Sequence, residues 1–538
     1  MYSDSSKGIS EGYYKMEIPK TYNCVTTFLD RHIAEGRGEK AAVYCNDEVL
    51  TYNDVFENVN RMGNGLKKLG VERENRVYLL VPDSPSLIYA MLGAMKIGAV
   101  PIPVNTRLPA QSQLYMLNDS RAKVLLVSVE LLDVVENIKS RLEFVQHIVV
   151  DGESGAGYPV LSELLASASS NLEPAKTHKD DTAFWLYTSG STGEPKGVVH
   201  QHQNWIYCCE CYAKSILNMD ENDVSLSVSK LFHAYGLGNG LFFPFFVGGA
   251  TVMYPGVPSP EDFLKAAERY KVTLFYGVPT FFAAALSIPD LENRYDLQTI
   301  RLCASAGEPL PQILFEKWRE KFGVEILDGI GSTEVLHIYI SSRPGLVRPG
   351  STGWPVPGYE VRIVDAEGNS LPRGEMGILW VRGESTTTGF WNKKEKTRKQ
   401  CLGEWFNTED LWYVDEDGYY WYSGRADDAF KSRGEWVMPV EIENVVIEHE
   451  AVLESAVIGS KDDNGLEKPL AFVVLKPGQT GSDSLEDELK VHVRKQLPGF
   501  KVPGWIRFTP ELPKTATGKF QRFKLRRQVT EEITRAAL

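Results

Sequence analysis

Excess positive charge is the first thing this sequence lacks. Its 538 residues hold 71 Asp and Glu against 58 Lys and Arg, a formal net charge of −13. A general nucleic-acid binder needs a basic face. No nucleic-acid partner is therefore expected, although a local basic pocket for phosphates stays open. Cysteine is scarce too: seven residues, an odd number, scattered along the chain. That excludes a disulfide framework. Four metal-capable residues, His200, His202, Cys208 and Cys211, do lie close together. No second Cys pair completes a structural zinc site at normal spacing. They read instead as a helix after a loop, its cysteines acting as small apolar residues.

Uninterrupted apolar runs are missing as well. The first twenty residues, "MYSDSSKGISEGYYKMEIPK", are polar and lack the apolar centre of a targeting segment. The longest charge-free run, Leu231 to Pro260, is broken by six Gly and several Pro. No apolar helix of about 20 residues fits inside it. It reads as buried segments and turns lining a pocket, and a soluble, cytoplasmic chain without a membrane partner is expected. Internal repeats and long low-complexity tracts are absent.

What is present is an ordinary globular composition, 43% hydrophobic and 24% charged, in a chain too long for one core. Short apolar runs alternate with amphipathic stretches. "RVYLLV" (76–81), "KVLLVS" (123–128) and "HIVV" (147–150) read as strands, and "SLIYAMLGAMKIGAV" (86–100) as a helix on a sheet. The alternation resumes after the polar stretch 171–181 with "AFWLYTSG", "ATVMYP", "VTLFYGVP", "RLCASAG" and "EILDGIG". Two mostly parallel α/β blocks are expected. From about Ser341, "EVRIVD", "GILWVRG" and the Trp/Tyr-rich 405–422 read as antiparallel strands. After "GRADD" (424–428), about a hundred residues carry strand and helix signals of their own and read as a small second domain.

Five stretches carry chemistry. "YTSGSTGEPKGVVH" (187–200) follows an apolar strand. Its Gly190 and Gly193 allow close backbone approach, Thr188, Ser189, Ser191 and Thr192 offer hydroxyls, and Lys196 adds a point charge. The set suits a polyphosphate, yet it is not a Walker A loop, because Pro195 precedes the Lys and Gly197 follows it. "DGIGSTE" (328–334) is a second Gly-rich turn after a strand, ending in Glu334, a carboxylate suited to Mg²⁺ held against phosphates. "NTEDLW" (407–412) offers Asp410 to ribose hydroxyls, "GRADDAFKSRGEWVMPVEIE" (424–443) offers Arg425, and "PKTATGKFQR" (513–522) offers Lys519.

The order of these five motifs resembles the acyl-adenylate-forming superfamily of acyl-CoA ligases, peptide-synthetase adenylation domains and luciferases, over nearly the whole chain. The resemblance implies an α/β fold: a large N-terminal domain (1–426) of two doubly wound subdomains plus a small β-barrel-like one, and a small mobile α+β C-terminal domain (427–538) pivoting at Asp427. It implies ATP, Mg²⁺ and coenzyme A, with a small carboxylic acid as the other partner, and leaves a homodimer open. By position, 188–197 closes over the β- and γ-phosphates, Thr333 meets the α-phosphate and Glu334 the metal. Gly307, Glu308 and Pro309 wall the adenine. Asp328 lies near its amine, and Gly329, Ile330, Gly331 and Ser332 complete that turn. Asp410 and Arg425 hold the ribose, and Lys519 reaches the reacting carboxylate. Two positions depart from the usual pattern: Glu409 stands where Thr-Gly-Asp has its Gly, and Ile330 where an aromatic ring is common.

The same resemblance implies a thiol step in which the segment 431–436 swings in, Gly434 leaving room for a pantetheine arm. His233 in "LFHAYG" (231–236) matches the gate between acyl site and thiol tunnel. Ala234 stands where amino-acid-activating members have an Asp, so no α-amino group is expected on the acid. Ala234, Tyr235, Gly331 and His337 are the expected acyl pocket, most like that of benzoate–CoA ligases and close aryl relatives; for His337 a simply packed histidine is the alternative. Other readings left open are an enzyme loading an aryl acid onto a carrier protein, a CoA ligase for a cyclic or medium-chain aliphatic acid, and a silent nucleotide sensor.

Overall fold

A computed structural model of the chain describes residues 12–153, 157–189, 194–257, 259–433, 435–462, 465–514 and 520–536. The first α/β block forms as the alternation requires. Arg76–Leu80 pairs in parallel with Val100–Pro103 and Val124–Ser128, and the latter with His147–Asp151. The helix Pro85–Lys96 is buried over ten consecutive residues, Leu87 to Lys96. It touches the helix Tyr52–Lys68 backbone to backbone. A Cβ on Gly93 would stand 2.9 Å from the Val59 carbonyl, so only glycine fits there.

In the second block Ala250–Met253, Val224–Ser227, Leu274–Gly277, Leu302–Ser305 and Ile326–Gly331 are parallel neighbours in a nine-stranded sheet. Two expectations need correction. Ala41–Cys45, far ahead of the polar stretch 171–181, belongs to this sheet, with Val43 opposite Thr251. The blocks are therefore not contiguous in sequence, because strand–helix alternation says nothing about which sheet a strand joins. The second correction concerns Thr182–Ser189. It pairs antiparallel with Pro195–Gln201, Thr188 opposite Lys196, in a separate two-stranded ribbon. The β-branched residues of "KGVVHQ" continue as a strand, and a helix begins only at Asn204–Cys208. The Ser/Gly stretch thus connects two antiparallel strands rather than a strand and a helix.

Glu360–Val364, Gly377–Arg382, Trp405–Val414, Cys401–Leu402 and Tyr420–Arg425 form a curled antiparallel sheet, the barrel-like part of the fold. Beyond it, Val452–Lys461, Glu467–Leu475 and Trp505–Phe508 form a three-stranded sheet buried on both faces. Val457, Ala471 and Val473 meet Ile442, Leu489 and Val493 of the helices Pro439–Ile447 and Asp483–Gln496. Ala456, Ile458, Leu470 and Phe472 meet Leu525 and Val529 of the helix Arg522–Ala536. Among the described residues no helix is long and apolar enough to cross a membrane, and no group of three His, Cys, Asp or Glu could hold a metal. His202 instead packs its Nδ1 3.1 Å from Cys24 Sγ, and Cys208 its Sγ 3.5 Å from the Tyr359 hydroxyl.

Candidate active site

One cavity of about 830 Å³ opens where the carboxyl ends of the nine-stranded sheet face the curled sheet and the C-terminal unit. The strand Ile326–Gly331 delivers Asp328, Gly329, Ile330 and Gly331 to its wall, and Ser332, Thr333 and Glu334 follow in a turn. That turn is clamped from several sides. The Ser332 hydroxyl accepts the Val335 N–H at 3.2 Å. The Glu334 carbonyl accepts the Thr387 N–H at 2.7 Å. His200 Nε2 stands 2.8 Å from the Thr333 carbonyl. Burial pushes His200 down to about 4, so the ring is neutral and donates from Nε2. Gly331 is required sterically, since a Cβ there would meet the His337 carbonyl oxygen at 2.6 Å. Neither His200 nor Thr387 stands out in the sequence as a support of this turn; His200 enters there only within a group weighed for zinc and read instead as a helix after a loop.

Asp328 is fully enclosed, and burial pushes its pKa up to about 7. The Thr352 hydroxyl donates to its Oδ2 at 3.4 Å. Its Oδ1 is buried without a partner among the described residues, an acceptor that suits an exocyclic amine. Gly307, Glu308 and Pro309 line the same end, with Gly307 in the left-handed region at φ +94°.

Across the cavity the curled sheet sets Asp410 opposite Arg425, with Nε 3.3 Å from Oδ1. Thr408 fixes Asp410 by accepting its N–H at 3.1 Å while donating to the Leu379 carbonyl at 2.8 Å. Burial works against the Arg425 charge, but Asp410 and Glu409 together hold its pKa above the ordinary value. Glu409 keeps the glycine-like backbone of its position, φ +60°, and turns its carboxylate onto Lys396 and Lys399. Lys196 reaches the cavity beside Thr188, its ammonium 5.0 Å from the Phe390 ring. Burial pushes the Lys196 pKa down, and the Glu334 charge opposes that.

Asp427 lines the cavity next to Asp428, and Arg526 of the last helix binds Asp428 at 2.8 Å. Arg522 grips Glu443 through both oxygens at 2.6 and 2.8 Å. Lys514 and Phe520, which bracket 515–519, also line it. Gly190, Ser191, Thr192, Gly193, Gly434 and Lys519 lie outside the described residues, as does the Ser189 side chain.

His233 lines the cavity. Of the four expected acyl-pocket residues only Gly331 does; Ala234, Tyr235 and His337 are absent from the lining. His337 is 2% exposed, caged by the rings of Trp205, Tyr212, Tyr235 and Phe243. Burial pushes it down to about 3, so it is neutral. The geometry matches the packed-histidine alternative.

Four histidines are buried in this way, His32, His200 and His202 at about 4 and His337 at about 3. Each binds a proton in the unfolded chain below pH 6.5 and not in the fold, so its contribution is lost as pH falls from 6.5 toward 4. Asp83 at about 6 and Asp328 at about 7 act oppositely, as do Asp30 and Asp151, but carboxyls held low by their partners, among them Asp223, Glu409 and Asp415, add to the loss toward acid. The melting temperature should therefore fall steadily between pH 6.5 and 4.5. A flat or rising profile would contradict the buried neutral assignment.

Residues 30–391 match the AMP-binding enzyme family, and residues 441–519 match the AMP-binding enzyme C-terminal domain. The chain is 45% identical to the benzoate–CoA ligase of Thauera aromatica, over 98% of its own length and 100% of that protein. It is 41% identical to the 4-hydroxybenzoate–CoA/benzoate–CoA ligase of Rhodopseudomonas palustris, over 94% of each. Among solved structures, an anthranilate CoA ligase in complex with anthranoyl-AMP superposes with a TM-score of 0.92 at 41% identity, covering 95% of this chain and 99% of that one. A benzoate CoA ligase from Burkholderia xenovorans LB400 superposes with a TM-score of 0.87 at 42% identity, covering 94% and 100%. The chain belongs to the AMP-binding enzyme family, in its acyl-CoA ligase branch.

Proposed function

We propose that the protein activates benzoate, or a lightly substituted benzoate, with ATP and passes the acyl group to coenzyme A. It is an AMP-forming aryl-acid–CoA ligase of the benzoate–CoA ligase type. One observation carries the nucleotide reading: a single cavity collects the 328–334 turn, Lys196, the Asp410–Arg425 pair and both flanks of the Lys519 loop. In this reading the Asp328 Oδ1 accepts the adenine amine, and Asp410 with Arg425 takes the ribose hydroxyls. Thr333 and Lys196 hold the phosphates. Lys519 comes between the carboxylate and the α-phosphate, two anions that repel as their bond forms. Glu334, clamped at its backbone and facing the cavity, is the carboxylate offered to Mg²⁺. When bound, that ion neutralises charge on the departing pyrophosphate.

The thiol step uses the other face of the C-terminal unit. We place the boundary at 426/427 and the pivot at Asp427. The hairpin of Phe430–Ser432 and Glu435–Val437 carries Trp436 exposed to solvent and outside the cavity that Lys514 and Phe520 line. Rotation exchanges one face for the other, His233 standing where the thiol would enter. The acyl ring lies toward Gly331, the one expected acyl-pocket residue that lines the cavity. Flat and rigid, an aryl acid loses little conformational entropy on binding.

Pyrophosphate release from ATP and benzoate, measured with and without CoA, tests this. Steady turnover to benzoyl-CoA and AMP is expected with CoA, and a burst near one equivalent without it. A burst near one equivalent that CoA leaves unchanged, with no thioester, would favour the carrier-loading alternative. Glu334→Gln keeps the size and removes the charge. It should raise the Mg²⁺ concentration needed for half-maximal pyrophosphate release by about tenfold; an unchanged Mg²⁺ dependence would remove Glu334 from the metal.

A further inference from the structure

We infer that Lys396 is a further nucleotide-contacting residue, whose ammonium meets the triphosphate and is aimed there by Glu409. The inference rests on the nucleotide reading of the cavity. Lys396 and Lys399 sit three residues apart on the helix Lys394–Gln400, so they share a face. Both bind the Glu409 carboxylate at 2.9 Å, Lys396 on Oε2 and Lys399 on Oε1. Their surroundings differ. Lys396 has a side chain 28% exposed and lines the cavity, whereas Lys399 is 70% exposed and does not. One carboxylate thus holds one lysine toward the nucleotide and another toward solvent.

Position indicates which part of the nucleotide Lys396 meets. The Glu409 oxygen that takes Lys396 is also 3.6 Å from Arg425 Nη2. Lys396 therefore stands beside the residue given to the ribose. Lys196, the residue given to the phosphates, lines the same cavity as Lys396 and Arg425 and feels the charge of both. Three cations, Lys196, Lys396 and Arg425, line one cavity together with the carboxylates Glu334 and Glu409. A polyanion relieves such a cluster. Between a ribose contact and a phosphate contact lies the middle of the triphosphate. There the acyl carboxylate forms its bond to the α-phosphorus. The bond from that phosphorus to the bridging oxygen breaks, and its electron pair leaves with pyrophosphate. A fixed ammonium at that point stabilises the charge that develops.

Glu409 is unusual for this task, since it holds a positive φ where a glycine sits more easily. A glycine would keep the turn and lose the carboxylate, leaving Lys396 unheld.

The test compares Lys396→Ala, Lys396→Arg, Lys399→Ala and Glu409→Gln in the full-length enzyme. It reads kcat and KM for ATP in pyrophosphate release, inhibition by inorganic pyrophosphate, and melting temperature. Lys396→Ala should lower kcat/KM for ATP by about 10²-fold and weaken pyrophosphate inhibition by at least about tenfold, with an unchanged melting temperature. Lys396→Arg should recover part of both, and Glu409→Gln should fall between it and Lys396→Ala. Lys399→Ala should stay within about twofold of the parent, as an exposed ion pair does. The inference is overturned if Lys396→Ala matches Lys399→Ala, or if it loses activity with pyrophosphate inhibition intact. Failure of the nucleotide reading looks different: the parent enzyme would release no pyrophosphate from ATP with any aryl acid.

Discussion

Replacing Lys519 with Ala is expected to slow acyl-AMP formation by about 10³-fold, the upper range for losing one transition-state charge contact, while sparing the second half-reaction. The first bond joins a carboxylate to an α-phosphate, both anionic, and a cation between them acts mainly as the bond forms. The second step attacks an acyl-AMP that is already activated, and it needs that lysine out of the way. Position supports the assignment: Lys514 and Phe520, on either side of the loop, pair in an antiparallel bridge and both line the cavity. Supplied benzoyl-AMP should therefore react with CoA at the parent rate in the Lys519→Ala enzyme. Equal losses in both half-reactions would show a general structural role.

Asp427→Pro is expected to give the reverse pattern. The residue follows Ala426, which donates to the Glu409 carbonyl, and precedes Asp428, which donates to the Arg425 carbonyl. Both neighbours are therefore tied, while no backbone bond among the described residues uses the Asp427 N–H. Beyond it, Asp428 is bound by Arg522 and Arg526 of the C-terminal unit. We propose that the pivot uses the Asp427 torsions, and proline would lock φ near −65°. The structure already holds the Lys514 and Phe520 face on the cavity, so the first turnover of pyrophosphate should survive. Thioester formation should fall by about 10²-fold, the scale on which a misplaced catalytic group costs rate. Unaltered steady-state synthesis of thioester would put the pivot elsewhere.

Residues whose role depends on local backbone and a fixed offset are the legible ones. Asp328, Glu334, Asp410 and Arg425 each lie within a short motif, and the structure brings all four to one cavity. The parallel strands are legible for a similar reason, because a strand buried on both faces is a continuous apolar run. What escapes is set by partners distant in sequence. Nothing in "AAVYC" says that it will lie beside residues 250–253. The hairpin at 182–201 escapes because a Ser/Gly loop after a strand reads alike whether a helix or a strand follows. His200 and Thr387 hold the catalytic turn through its backbone carbonyls, contacts that no motif spacing encodes. His337 could be placed near the acyl site, but only three-dimensional packing shows it caged by four rings. The Glu409 substitution is plain in the sequence, while its grip on Lys396 needs the helix Lys394–Gln400 laid against the strand Trp405–Val414.

Preference for an aryl acid is read most directly from kcat/KM for acyl-CoA formation. The acids to compare are benzoate, 2-aminobenzoate, cyclohexanecarboxylate, hexanoate and acetate, at saturating ATP and CoA. The expected result is that benzoate or 2-aminobenzoate leads and acetate trails. If a linear acid exceeds every cyclic one by tenfold, about 1.4 kcal/mol of transition-state preference, the aryl reading of the site is contradicted.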